Sequence, residues 1–403
     1  MNQTFGVMRA PRELIFGDGQ RRALGKVAAR IGKRALICTD QRFAASQPMN
    51  EILDDLAMQG VVCRVFDGTQ AELPLTSIEE CVKFCEGFAP EVIIGLGGGS
   101  CMDMAKLVGL LLTHGGPMDR FYGEFKVPGP IVPIVAVPTT AGTGSEVTPV
   151  AVVADNARDL KVGVSSPYMI PHTAICDAEL TASCPAGLTA LSGADALTHA
   201  VEAFTAIRHP VDGELSQQRV FVGKNLFSDQ HALNAIRAIF KFLPRAVANG
   251  SDAEARSMMM YGSVCAGLAF GAAGTAAAHA IQYPVGALTH TAHGLGVAAL
   301  LPYVMAFNGP ACIDDFVEIG QAIGVYAHGG HDNTALEVIS RTRDLCASIG
   351  IPANLAQLGL QEDKLDWVAE QSMLSARLIN NNPRKLALPD VRQIVGNAYY
   401  GRA

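Results

Sequence analysis

The helix-like stretch LTALSGADALTHAVEAFTA at 188–206 carries Asp195 and His199 four residues apart. On a helix that spacing stacks a carboxylate and an imidazole on one face. Their neighbours are Ala and Leu, so the face they share is expected to be buried. A buried Asp–His pair is explained either by a plain hydrogen bond or by half of a metal site. The later stretch HAIQYPVGALTHTAH brings His279, His290 and His293 with Tyr283 and no formal charge. An apolar interior does not tolerate several unpaired imidazoles, and one divalent cation would satisfy them together. One carboxylate with up to three neutral imidazoles suits Fe²⁺ or Zn²⁺, with positions left open for substrate.

These histidines lie in an unusual background. From Ser257 through Ile313 there is no Asp, Glu, Lys or Arg. Pro284, Pro302 and several glycines interrupt the run, which argues against a membrane span and for helices buried inside a protein.

A second chemistry sits upstream. Gly97-Gly98-Gly99-Ser100 joins an apolar strand to a helix. Such a joint is either a tight turn or a cradle for phosphate, since glycines admit close backbone approach and a helix N-terminus offers free N–H groups. Ser100 and Asp103 have the S-x-x-D spacing of a capping box. Pro138-Thr139-Thr140-Ala141-Gly142-Thr143-Gly144-Ser145-Glu146 follows another strand and suits polar contacts to a nucleotide. Asp40, closing RALICTD, is a solvated turn aspartate or the acceptor for a ribose 2′-OH; in the second case NAD is favoured over NADP.

The elements needed to position these groups fall into two sets. Strands are expected at 34–40, 61–66, 91–96 and 131–138, alternating with helices at 48–59, 76–88 and 101–113, which implies a parallel sheet. A hairpin is expected from 149–154 and 161–164. After residue 184 the pattern becomes helical throughout, with segments at 188–206, 230–248, 253–273, 275–282, 294–307, 314–323, 333–349, 361–374 and 387–397. The expected fold is therefore an α/β, Rossmann-like domain over 1–184 and an all-α domain over 185–403, with an active-site cleft between them.

Bulk properties agree. Of 403 residues, 49% are hydrophobic and 17% charged, enough for a large core. A net charge of −7 without basic runs excludes nucleic acid or an anionic membrane as main partner. The ten cysteines form no Cys-x₂-Cys pair, and the first residues carry no signal-peptide pattern, so reduced thiols and a cytoplasmic setting are expected.

In order along the chain, GGGSCMDMAK at 97–106, VPTTAGTGSEVT at 137–148, ALTHAVEAF at 196–204, AGLAFGAAGTAAAHA at 266–280 and HG at 293–294 closely resemble the motifs of the iron-containing (group III) alcohol dehydrogenases. The resemblance implies a Rossmann-like domain followed by a helical one. It implies metal ligation by Asp195, His199, His279 and His293, with His290 outside the pattern. It also implies a pyrophosphate loop of Gly97, Gly98, Gly99, Ser100 and Asp103, and further NAD contacts from Thr139, Thr140, Thr143 and Lys161. Phe270 falls where the substrate pocket is often lined.

Two departures bear on substrate. Tyr283 stands where many members have a histidine associated with proton relay, so it is either a phenolic relay or a pocket wall. Residues 207–228 look like an insertion.

The implied activity is hydride transfer between NAD(H) and a small alcohol or aldehyde, using Fe²⁺ or, alternatively, Zn²⁺, in a chain that could form a homo-oligomer. The rival readings are a maleylacetate-reductase-like enzyme, a polyol or hydroxy-acid dehydrogenase, and a non-catalytic nucleotide- and metal-binding protein. An acidic substrate would need Arg or Lys in the pocket, and Arg208 or Lys224 are the candidates in the insertion.

Overall fold

Runs of alternating destination build the first half of the chain. Leu36 and Ile37 are consecutive and both fully buried, as are Ile93 and Ile94. Because successive strand residues point to opposite faces, Leu36 and Ile93 enter one core, while Ile37 and Ile94 enter another. A strand buried on both faces is the mark of a parallel sheet covered on both sides.

The computed structural model, which describes residues 4–155, 160–326 and 329–402, shows that sheet. It contains β1 (Glu13–Phe16), β2 (Arg34–Cys38), β3 (Val62–Phe66), β4 (Val92–Gly97), β6 (Ile134–Pro138) and β9 (Thr173–Cys176), in the order β1-β9-β6-β4-β2-β3, all parallel. The short β5 (Gly123–Glu124) joins β7 (Val150–Asp155) and β8 (Leu160–Ser165) in a second sheet, where β7 and β8 form the expected antiparallel hairpin. The connecting helices are α1 (Leu24–Ile31), the one-turn α2 (Gln41–Ala44), α3 (Gln47–Met58), α4 (Leu75–Phe84) and α5 (Gly99–His114). Residues of α1 and α3 line one core, those of α4 and α5 the other.

The remaining helices are α6 (Ala186–Thr205), α7 (Leu215–Gln218), α8 (Leu226–Ala248), α9 (Ala253–Ala273), α10 (Ala277–Thr289), α11 (His293–Asn308), α12 (Ile313–Ile323), α13 (His331–Ser348), α14 (Leu365–Met373), α15 (Ala376–Asn380) and α16 (Leu388–Tyr400). One compact unit comprises Arg9–Cys184 with Gln217–Val220; the other comprises Pro185–Ser216 and Phe221–Ala403 and takes up the residues before Arg9. Leu226 N donates to Phe5 O at 2.9 Å, and Val7 N to Asn225 Oδ1 at 3.2 Å, which explains why those early residues go with the helices.

The span His293–Ala311, α11 with the turn that follows it, is long and apolar enough by composition to cross a membrane, but most of it is buried in this fold, as a core helix would be.

Three expectations need correcting. Helix α10 does not stop before Pro284 but runs through it to Thr289, where His290 (φ 54°) caps it in the left-handed region. Proline removes one backbone donor, and burial of Ile281, Gln282, Pro284 and Val285 outweighs that loss. Ser100 and Asp103 make no capping box: α5 has no side-chain cap, and the Asp103 carboxylate goes to Ser145 and Val152 instead. The edge strand β1 and the four-residue β9 carry too short an apolar pattern to stand out and were not foreseen.

Asp103 instead belongs to a buried polar cluster. Its Oδ1 accepts from Ser145 Oγ at 2.5 Å and its Oδ2 from Val152 N at 2.9 Å. Lys106 is fully buried and donates to Ser145 Oγ, Thr148 O and Val150 O at 2.9, 3.0 and 2.8 Å. Burial pushes the Lys106 amine down to about 8 against the pull of Asp103 and Glu146, and burial pushes the Glu146 carboxyl up to about 7. One lysine thus ties helix α5 to the loop after β6 and to the start of β7. Replacing Lys106 with Met strands Asp103 in the core. The expected destabilisation is about 3–5 kcal/mol, read as a lowered melting temperature, and an unchanged melting temperature would refute this account of the cluster.

Candidate metal centre

The candidate ligands come from three helices. Asp195 and His199 sit one turn apart on α6, as their spacing requires, and both are buried. His279 stands in the first turn of α10 and His293 is the first residue of α11. Gly294 makes the last approach possible: a Cβ there would lie 2.5 Å from Leu191 O and 3.3 Å from Asp195 Cβ. A side chain would therefore push α11 away from α6 and take His293 with it.

The Nε2 atoms of His199, His279 and His293 lie 3.6, 3.8 and 3.9 Å from the same oxygen, Asp195 Oδ1. The donor atoms of Asp195, His199 and His279 all fall within 4.8 Å of one another. His279 Nε2 is buried without a hydrogen-bond partner, which is costly for a neutral imidazole in an apolar core. A carboxylate and imidazoles facing a common point form a donor set that fits a divalent transition-metal ion.

The second nitrogen of His279 is fixed. Nδ1 lies 2.6 Å from Glu202 Oε2, and the same carboxylate accepts from Ala276 N at 2.8 Å and Ala278 N at 2.6 Å. Glu202 therefore holds both the start of α10 and the tautomer of its histidine, leaving Nε2 for a ligand. The sequence reading passed it over. Its signal was an acid among apolar residues, seven positions after Asp195 and three after His199, hence on the same side of α6.

The surroundings are aromatic. Phe270 stacks on His199 with ring centroids 4.2 Å apart, and Tyr283 lies parallel to His293 at 6.2 Å. Burial pushes the Tyr283 phenol up, Arg377 pulls it down, and Glu202 and Asp195 push it up further. His290 is exposed, at the C-terminal cap of α10. The insertion cations are committed elsewhere. Lys224 is buried, donating to Phe204 O at 2.5 Å and Asp229 Oδ1 at 2.9 Å, with Asp315 Oδ1 at 3.3 Å; Arg208 pairs with Asp229 at 3.2 Å. Neither is the pocket cation considered above.

In the other unit the glycine loop faces the threonine loop. A Cβ on Gly99 would lie 2.7 Å from Thr143 Cγ2, and one on Gly98 would lie 3.6 Å from Thr140 Oγ1. Thr139 N donates to Gly97 O at 2.9 Å, while Thr139 Oγ1 is buried without a partner. Ser100 lies in the first turn of α5. Asp40 Oδ2 is 3.8 Å from where a Gly97 Cβ would stand, and its Oδ1 accepts from Phe43 N at 2.8 Å to cap α2. Lys161 is on β8 and pairs with Glu72. The narrow, side-chain-free floor at Gly97–Gly99 and the orphaned Thr139 hydroxyl fit a bound nucleotide.

Residues 11–178 match the family model of iron-containing alcohol dehydrogenase, and residues 189–399 match that of the C-terminal region of the Fe-containing alcohol dehydrogenase family. The chain belongs to the iron-containing alcohol dehydrogenase family and is an oxidoreductase of that family. It is 33% identical over 390 residues to the NAD-dependent methanol dehydrogenase of Bacillus methanolicus, covering 96% of this chain and 98% of that one. Sulfoacetaldehyde reductase of Bilophila wadsworthia (strain 3_1_6) is 32% identical over 381 residues, covering 93% and 94%. The crystal structure of a 1,3-propanediol oxidoreductase superposes with a TM-score of 0.91 at 32% identity, covering 98% of this chain and 100% of that one.

Glu202→Gln keeps the size of the side chain and removes the charge that orders His279. Metal affinity is expected to fall about 10- to 100-fold, measured by competition with a chelator. Unaltered affinity would remove Glu202 from the centre.

Proposed function

We propose that this chain is a metal-dependent, NAD(H)-linked alcohol dehydrogenase and aldehyde reductase acting on small alcohols and aldehydes. The observation that carries the reading is the convergence of three imidazole nitrogens on one oxygen of Asp195, with His279 held by Glu202.

Asp195, His199, His279 and His293 would hold the ion, Fe²⁺ by family and Zn²⁺ by donor chemistry as the alternative. When bound, such an ion supplies Lewis-acid polarisation of an alcohol or carbonyl oxygen. NAD(H), against Gly97, Gly98, Gly99, Ser100, Thr139, Thr140 and Thr143, would supply the hydride acceptor or donor. Asp103 serves this loop from behind, by positioning Ser145, and Lys161 would be a contact at its margin. Asp40, beside Gly97, retains an oxygen for a ribose hydroxyl and would repel a 2′-phosphate, which favours NAD over NADP.

The chain's own residues do the rest. Phe270, stacked on His199, walls the site and keeps water from the donors. Tyr283 stays protonated at neutral pH, because burial raises its pKa. Its Oη can therefore donate a hydrogen bond to the substrate oxygen, as a fixed donor rather than a group titrating near neutrality like imidazole. The named relatives, a methanol dehydrogenase and a sulfoacetaldehyde reductase, support a small oxygen-bearing carbon as the reacting centre.

The test is NADH and NADPH oxidation with a panel of small aldehydes, on protein loaded separately with Fe²⁺ and Zn²⁺. NADH-dependent turnover is expected in at least one metal form. His279→Ala should abolish turnover and metal retention together while NADH binding, followed by its fluorescence, persists. Full turnover by metal-stripped protein would overturn the metal role.

A further inference from the structure

Three of the four candidate donors are drawn closely together, and His293 is the outlier. Asp195, His199 and His279 have side chains 6, 7 and 4% exposed, with donor atoms within 4.8 Å of one another. His293 lies outside that set, and 28% of its side chain is exposed. Asp195 and His199 share one helix, and Glu202 fixes His279. The place of His293 is set by where α11 begins, since it is the first residue of that helix.

The first turn of α11 meets two other helices, and each contact is made at a glycine. Toward α6 it is Gly294, as described above. Toward α10 it is Gly296. A Cβ there would lie 1.7 Å from Gln282 Oε1, 2.2 Å from its Cδ and 2.6 Å from its Nε2, so the whole carboxamide occupies the space of a side chain at 296. Along its own helix the carboxamide meets a second glycine: Nε2 is 2.9 Å from where a Gly286 Cβ would stand. That same Cβ would lie 3.6 Å from Thr291 O, in the turn that leads into His293. Gln282 follows His279 by three residues and Gly296 follows His293 by three, so the contact lies one turn along from both donors.

A hydrogen bond does not account for this side chain. Gln282 is 1% exposed, and its Oε1 is buried without a partner. Leaving an amide oxygen unpaired in a core is costly, so its packing must serve a purpose. Ile281 and Val285 of α10 and Leu300 of α11 belong to one buried apolar cluster, and so close-packed an interior leaves the amide little room to swing aside. A side chain set into a notch on the facing helix fixes how near the two helices come.

We propose that Gln282 is a positioning residue for His293: seated against Gly296, it holds the first turn of α11 at the distance from α10 that presents the fourth donor to the metal. The inference rests on the metal-centre reading above and deepens it, assigning the place of the outlying ligand to a packed pair outside the donor set. The role belongs to the shape of the side chain, so methionine, unbranched and of similar length, can fill it.

The test uses full-length protein stripped of metal and titrated with Co²⁺, whose absorption spectrum reports its coordination, against a competing chelator. NADH binding and melting temperature are followed alongside. His293→Ala supplies the spectrum of a centre without its fourth donor. Gly296→Ala, which puts a methyl group where the carboxamide lies, should weaken Co²⁺ binding about 10- to 100-fold, the scale for residues that orient a metal ligand. Its spectrum should move toward that of His293→Ala, and Gln282→Ala should act in the same direction. In the double variant Gln282→Ala/Gly296→Ala the added methyl group enters the space the amide leaves. Affinity and spectrum should then return most of the way to wild type, a non-additivity that marks residues in contact. Gln282→Met should match the wild type, and NADH binding should hold throughout. Wild-type affinity in Gly296→Ala overturns the proposal, because the amide would then have moved aside without consequence. A double variant no better than Gly296→Ala overturns it too, as does a Gln282→Met that behaves like Gln282→Ala. If Gly296→Ala does not fold, the comparison of Gln282→Ala with Gln282→Met decides by itself. A wild type that binds no Co²⁺ instead overturns the metal centre, and that failure is read from the wild type alone.

Discussion

Everything in the helical unit turns on one buried carboxylate. Glu202 sits among apolar residues and would be prohibitively expensive there if left unpaired. It is matched by two backbone N–H groups at the start of α10 and by the imidazole of His279. Those three partners exist only if α10 begins at the angle it does, after the sharp bend from α9. Asn381 secures the same bend by donating to Ala273 O at 3.0 Å and Thr275 O at 3.1 Å. The orientation of His279 is therefore a by-product of satisfying the helix start. The donor geometry follows, because α6 already carries Asp195 and His199 on the side that carries Glu202.

The α/β unit solves a parallel problem with the opposite charge. Two glycine- and threonine-rich loops have few side chains with which to hold each other, and a loop open to a nucleotide cannot also be filled with packing groups. Lys106 resolves this from behind: it reaches Ser145, Thr148 and Val150 from α5, and Asp103 completes the cluster. The face turned toward Gly98 and Thr140 is left clear. In both units a fully committed buried charge fixes the backbone, and the groups available for ligands are the ones it does not use.

What could be read from the sequence divides along the same line. The parallel sheet was legible because its strands are unbroken apolar runs, and the long helices because their cores are periodic. The cluster of candidate donors was legible because charged and imidazole groups in an apolar run have few uses. The roles of Asp103 and Glu202 were not, since an acid three or seven positions from another polar residue is compatible with a cap, a ligand or a brace. Only the position of Ser145, or of Ala276, decides between them, and those partners are 42 and 74 residues away in sequence. Pro284 misled for a related reason: the local rule against proline inside a helix was outweighed by burial that no local window contains. Strands β1 and β9 are four residues each and had too little pattern to rise above their surroundings.

The scarcity of charge from Ser257 to Ile313 now has a sharper meaning than burial alone. A metal centre in a low-dielectric pocket responds strongly to any fixed charge nearby. A chain that keeps Asp, Glu, Lys and Arg out of most of α9 and all of α10 and α11 leaves the charge at the centre to the donors themselves and to groups brought from other helices. Arg377 comes from α15, and the ring it rests on comes from the segment around Phe221. Both lie outside the helices that carry the metal donors. The donors and the fixed charge nearest their joint are thus borne by separate parts of the chain.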